Sequence, residues 1–122
     1  MKLENVALDI NCHCRLIDFG MVKILDPNND EDLATSFVGT PNYMAPEIIF
    51  QEDPYSFPVD WWAMGVMLFE MHASDHMFSG GDEDELFTDI CFESIEEKLD
   101  AKEHMHPEVR RVLEELLDRE PE

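Results

Sequence analysis

Asp60-Trp61-Trp62-Ala63-Met64-Gly65-Val66-Met67-Leu68-Phe69-Glu70-Met71-His72 sets the architecture of this chain. Asp60 suits an N-cap, and the run from Trp61 to His72 predicts a helix with few exposed polar positions. Trp61, Trp62, Met64, Val66, Met67, Leu68, Phe69 and Met71 wrap most of its circumference. A helix that is apolar all round belongs in the middle of something. In a chain of 122 residues it is covered only if the remaining segments, or a partner, pack on several sides.

Outward from that helix, Pro41 and Pro46 break the preceding stretch, and Pro54 and Pro58 prevent a long helix before Asp60. Further upstream, Val6 to Leu8 and His13 to Ile17 predict a small hairpin, with Asp9-Ile10-Asn11-Cys12 as its turn. Asp26 to Asp32 is rich in turn formers and acids and reads as a solvated loop. Asp26, Asn28 and Asp30 occupy alternate positions of a calcium loop, but Glu31 stands where glycine is needed and Phe37 where glutamate is needed. Downstream, Gly80-Gly81 closes a loop. Asp82 to Glu85 suit a helix start, and Leu86, Phe87 and Ile90 form that helix's apolar face. Pro107 opens a further helix in which Val109, Val112, Leu113, Leu116 and Leu117 recur at spacings of three and four. The expected fold is mainly α, with a small β-hairpin ahead of three or more helices.

Composition narrows the function. The chain is 44% hydrophobic, so a core can form, while 29 acidic residues against 8 basic ones leave a formal charge of −21. Phosphate-bearing partners are held first through Lys and Arg, so nucleic acid and anionic lipid are disfavoured. The longest strongly apolar run, Trp61 to Phe69, falls well short of the roughly 20 residues of a membrane span. The start Met1-Lys2-Leu3-Glu4 lacks a signal peptide's apolar stretch, which implies a cytoplasmic protein. Three cysteines, Cys12, Cys14 and Cys91, suit neither a disulfide framework nor a zinc site.

Two motifs carry chemistry. Asp18-Phe19-Gly20 follows a predicted strand and sets a carboxylate beside a glycine that permits a sharp turn. Asn5 precedes the other strand, so Asn5 and Asp18 bracket the hairpin and can bring an amide oxygen and a carboxylate to one metal ion. An all-oxygen site of this kind, completed by phosphate, suits Mg²⁺. The second motif is Gly39-Thr40-Pro41-Asn42-Tyr43-Met44-Ala45-Pro46-Glu47.

With these residues in place the chain resembles the eukaryotic serine/threonine protein kinases, in particular the protein kinase C branch with its atypical members. Lys2-Leu3-Glu4-Asn5-Val6 is similar to the end of the catalytic loop, Asp18-Phe19-Gly20 to the magnesium-binding triplet, and Ala45-Pro46-Glu47 to the close of the activation segment. Val59 to Gly65 is similar to the start of the family's central buried helix. The resemblance implies a C-terminal-lobe fragment: one partial kinase domain over residues 1–122, with hairpin, activation segment and helices in that order. It implies ATP and Mg²⁺ in intact relatives, with Lys2 on phosphate and Asn5 and Asp18 on the metal. It also implies Ser36 as the site of activating phosphorylation, Thr40 on the peptide-binding floor, and Glu70 paired with a substrate arginine. Two plainer alternatives stay open: Ser36 as an unmodified loop serine, since no basic cluster is placed to receive its phosphate, and Glu70 as a solvated helix carboxylate.

In the family's register Met1 occupies the position just after the catalytic aspartate, and the upper-lobe nucleotide contacts are absent from these residues. These 122 residues alone are therefore expected to be inactive. The arginine that would answer Glu47 falls beyond Glu122, so Glu47 is expected to be unpaired. Ser74-Asp75-His76-Met77 departs from a stretch where relatives carry Gly and Pro, and Cys12 stands where many have Gly. A second function stays open, a non-catalytic acidic module for basic peptides or a kinase partner, built on Glu70, Asp75, Asp82, Glu83, Asp84 and Glu85. Trp61 and Trp62, if uncovered, imply self-association.

Overall fold

Asp9 organises the first element. In the computed structural model, which describes all residues except 27, 30, 31, 52, 53, 103, 121 and 122, its Oδ1 accepts the backbone N–H of Asn11 at 2.8 Å and of His13 at 3.0 Å. Its Oδ2 takes the Arg15 guanidinium at 2.9 Å. These bonds stand in for the missing turn glycine and hold Cys12 at φ 63°. They join β1 (Val6–Leu8) to antiparallel β2 (Cys14–Leu16), with Val6 opposite Leu16 and Leu8 opposite Cys14. In the solvated loop that follows, Asp26 accepts the N–H of Asn28 at 3.0 Å. Asp30 and Glu31, compared above with a calcium loop, lie outside the described residues.

The helical part begins with α1 (Pro46–Phe50) and the central α2 (Pro58–Ala73). Asp60 is not the cap of α2. Proline fits a first helical position because its fixed φ is already helical and its missing N–H is not needed there, so the helix starts at Pro58 and Asp60 lies in its first turn. Nor is α2 covered all round: Trp62 is 2% exposed, whereas neighbouring Trp61 is 59% exposed. Next come α3 (Glu83–Phe92), α4 (Ile95–Asp100) and α5 (Pro107–Leu116). Asp82 caps α3 through the N–H of Glu85 at 2.9 Å, and Ser94 caps α4 through the N–H of Glu97 at 3.2 Å. Along α5, Leu113 is fully buried while Val112, expected on the apolar face, is exposed.

The core gathers around α2. Trp62, Val66 and Phe69 meet Phe78, Leu86, Ile90, Leu99, Leu113 and Leu117. The Trp62 and Phe78 rings stack with centroids 5.7 Å apart and planes 5° from parallel. A Cβ on Gly65 would lie 2.9 Å from Leu117 Cδ2 and 3.0 Å from Leu116 Cβ, so the end of α5 lies directly on the backbone of α2. The Arg119 guanidinium donates to the carbonyls of Ile90, at 2.9 and 2.8 Å, and of Glu93, at 2.6 Å, closing the C-terminal end of α3. Among the described residues no helix is long and apolar enough to cross a membrane.

Two substitutions test this packing in opposite directions. Ser74 ends α2 at φ 51°, a conformation that costs an L-residue about 1 kcal/mol, so Ser74→Gly should raise the thermal midpoint. Gly65→Ala should lower stability by about 1–3 kcal/mol through overpacking against Leu117. Denaturant unfolding of both variants checks this, and a neutral Gly65→Ala would mean that α5 can withdraw freely.

Candidate functional site

The ladder continues one step past β1 and β2, because the Ile17 N–H donates to the Asn5 carbonyl at 2.9 Å. That bond sets Asn5 and Asp18 at the same end of the hairpin. Asp18 then turns sharply: it lies at φ 64°, in the left-handed region that aspartate tolerates better than most residues, and its Oδ1 accepts the Gly20 N–H at 3.2 Å. Its carboxylate is exposed and has no cation in ion-pair range among the described residues. Asn5, Asp18, Thr40 and Tyr43 line one open cavity of about 340 Å³.

Lys2 stands apart from this wall. It precedes the 3₁₀ turn Leu3–Asn5, and its carbonyl accepts the Asn5 N–H at 3.0 Å. Thr40 precedes a second 3₁₀ turn, Pro41–Tyr43, and its carbonyl accepts the Tyr43 N–H at 2.9 Å. The turn directs Tyr43 between the cavity and α2. No group of three or more His, Cys, Asp or Glu residues among the described residues is arranged to hold a metal ion. The oxygen donors that line the cavity at this end of the hairpin thus include one carboxylate, of Asp18, and one side-chain amide, of Asn5. This fits a hard cation whose remaining ligands are water and phosphate, as Mg²⁺ prefers.

Ser36 and Glu70 lie elsewhere. Ser36 is exposed and lines a second cavity, of about 260 Å³, with Glu47, Gln51 and Tyr55. The Tyr55 hydroxyl donates to the Ser36 carbonyl at 2.6 Å. No basic residue lines that cavity, and burial raises the Glu47 carboxyl above its ordinary value.

Glu70 is not a solvated helix carboxylate. Its side chain is 7% exposed, and each oxygen has a partner: Oε2 accepts the Tyr43 hydroxyl at 2.5 Å, and Oε1 lies 2.7 Å from His76 Nδ1. The Tyr43 phenol is pushed well above its usual range, first by burial and then by its bond to Glu70. The bond to Glu70 likewise raises His76. Neither partner was singled out from the sequence as functional. Tyr43 was visible only as part of the Gly39–Glu47 motif, and His76 only as a departure in the segment after α2.

The acidic cluster is also partly committed to structure. Asp82 and Glu85 accept backbone N–H groups of Glu85 and Gly81, at 2.9 and 2.8 Å. Asp75 is tied to Lys102 at 2.9 Å.

Comparison with known proteins bears on this geometry. The family described as "Protein kinase domain" matches residues 1–122. The chain is 42% identical to human protein kinase C delta type over 124 aligned residues, covering 99% of this chain and 17% of that protein. It is 52% identical to a putative protein kinase C delta type homolog of Drosophila melanogaster, over 76% of this chain and 13% of that protein. It is 46% identical to protein kinase C-like 1B of Caenorhabditis elegans, over 78% of this chain and 13% of that protein. The chain thus spans less than a fifth of the length of these relatives.

The state of Glu47 has a pH signature. Its folded value is raised, so the folded chain holds that proton more tightly than the unfolded one. The resulting penalty is absent below the ordinary carboxylate range and grows as pH rises through the raised value. Glu47→Gln should therefore raise the unfolding midpoint at pH 7.5 and leave it unchanged near pH 3.5. An equal shift at both pH values would refute this account.

Proposed function

Because the chain belongs to the protein kinase family, as a partial serine/threonine kinase domain similar to protein kinase C, we propose that residues 1–122 form the metal- and substrate-bearing part of that domain's C-terminal lobe. The observation that carries this reading is the position of Asn5 and Asp18 at one end of the hairpin, in the wall of the cavity that Thr40 also lines. In the intact domain the reaction is transfer of the ATP γ-phosphate to a protein Ser or Thr hydroxyl. Mg²⁺, when bound, neutralises charge on the phosphate oxygens.

This chain's own residues orient the reactants. Asn5 and Asp18 offer oxygen ligands at the cavity rim, and Lys2 offers a cation to phosphate from the preceding turn. Thr40 and Tyr43 shape the peptide side, and Glu70 supplies the negative charge that selects a basic substrate. Ser36 is the regulatory hydroxyl. The partners are a basic Ser/Thr protein substrate or a second kinase chain, in the cytoplasm, and the charge of −21 disfavours nucleic acid. Exposed Trp61, Phe57 and Phe92 supply apolar surface for self-association, which salt should promote by screening the repulsion.

The 122 residues hold no glycine-rich phosphate loop and no His-Arg-Asp base. Incubated by themselves with labelled ATP, Mg²⁺ and a basic serine peptide, they should transfer no label above background. Transfer abolished by Asp18→Ala would overturn that expectation. Mn²⁺, a paramagnetic substitute for Mg²⁺, should broaden the amide signals of Asn5 and residues 17–20 first, and Asp18→Asn should remove the effect. Broadening spread evenly over all acidic segments would overturn the assignment of the metal site.

A further inference from the structure

The turn after α2 carries an arrangement that the proposed reaction does not explain. Glu70 is nearly enclosed, yet the group on its Oε1 is the side chain of His76, which is itself 71% exposed. Of the two partners of Glu70, Tyr43 approaches from the 3₁₀ turn packed against α2, and His76 lies on the solvent side. Three bonds fix the backbone beneath the imidazole. The Ser74 N–H donates to the Glu70 carbonyl at 2.9 Å, the His76 N–H donates to Asp75 Oδ1 at 2.9 Å, and Lys102 holds Asp75 Oδ2 at 2.9 Å. Lys102 is placed in turn over the Phe69 ring, 5.7 Å from its centroid. The segment is anchored, while the imidazole itself is exposed and is held by the single contact to Glu70.

We propose that His76 is a specificity-determining residue: its imidazole occupies the cation position on Glu70, and a peptide arginine binds there only by displacing it. The inference rests on the reading that Glu70 faces a basic substrate. A guanidinium needs carboxylate oxygens for its N–H groups, and Oε1 is the one whose partner is exposed, whereas Tyr43, on Oε2, is half-buried and packed against α2.

Displacement is coupled to a proton. In the free chain the His76 imidazolium is favoured by its hydrogen bond to Glu70, by the charge of Glu70 and, more weakly, by Asp75. The other ionisable groups facing the pair are Tyr43, which stays neutral, Glu4, which acts on Tyr43 through its charge, and Lys102, which is occupied by Asp75. When a guanidinium takes Oε1, His76 loses its largest support and its affinity for the proton falls. Between the lowered value of the complex and the raised value of the free chain, binding releases up to one proton. Peptide affinity therefore rises with pH, by at most tenfold per unit, and is flat above and below that window.

The test is calorimetric titration of an arginine-containing serine peptide, without His or acidic residues and with blocked ends. It is run near pH 6.5 in two buffers of different ionisation enthalpy, with the wild-type chain and with His76→Ala. Wild type should release a substantial fraction of a proton. His76→Ala should release none and should bind more tightly than wild type at that pH. Binding by both chains with equal proton release would overturn the role of His76 while leaving the basic-substrate reading intact. Absence of binding by both chains would overturn that reading and this inference with it. Independently of any peptide, the His76 imidazole should titrate above the ordinary range in the free chain and return to it in Glu70→Gln. An ordinary value in wild type would refute the contact itself.

Discussion

The close approach of α5 to α2 at Gly65 is the constraint on which the rest of the structure depends. Any side chain at that position would meet Leu116 and Leu117, so the absence of a Cβ lets the two helices approach and seal Leu113 and Leu117 from water. On another side of α2, Trp62 lies flat against Phe78, drawing the segment after α2 back over the helix. That fold-back carries His76, two residues upstream of Phe78, to Glu70. Packing of large apolar side chains thus sets the position of a polar contact. The arrangement has a polar cost, because Trp62 Nε1 is buried without a partner among the described residues.

The hairpin is held by a different economy. Its second strand is exposed throughout, and Leu16, Ile17, Phe19, Met21, Val22 and Ile24 all face solvent. Little burial stabilises it, so local hydrogen bonds carry the load, above all the four that converge on Asp9. Cys12 and Asp18 both occupy the left-handed region at its two ends. Among the described residues the other two non-glycine residues in this region, Gln51 and Ser74, end α1 and α2, so each such conformation marks a place where the chain must turn, and the one at Asp18 presents a candidate metal ligand.

Much of this was legible in the amino-acid order. The hairpin, the proline start of α5 and the acidic start of α3 follow from local chemistry, and the motifs containing Asp18 and Glu47 identify the family, whereas Pro46 and Pro58, expected only to interrupt helix, open α1 and α2. Helix α4 went unremarked although Ser94-Ile95-Glu96-Glu97 has the pattern of a capping box. Asp60 was misread because two start signals stood two residues apart and the proline prevailed. Exposure of Trp61 was not legible either, since periodicity cannot say which side of an all-apolar helix is left without neighbours. The partners of Glu70 lay beyond local reading for another reason: Tyr43 is 27 residues away from it, and only the packing of the Pro41–Tyr43 turn on α2 brings them together.

Glu70 also shows why an acid count does not describe an acidic surface. Asp9, Asp82, Glu85 and Asp89 each accept backbone N–H groups, and Asp89 is further neutralised by Lys98 at 2.6 Å. Their charge remains, but their best lone pairs are already used, so an incoming cation finds in them long-range attraction more than a binding geometry. Glu70 differs because its low exposure removes competing water. A hydrogen bond to an ionised group gains strength where water is excluded, and leaving that group unanswered costs correspondingly more. A carboxylate so placed must always have a partner. In the free chain that partner is the phenol on one side and a solvent-exposed imidazole on the other, and the second is the one that a guanidinium, with more N–H donors, would replace.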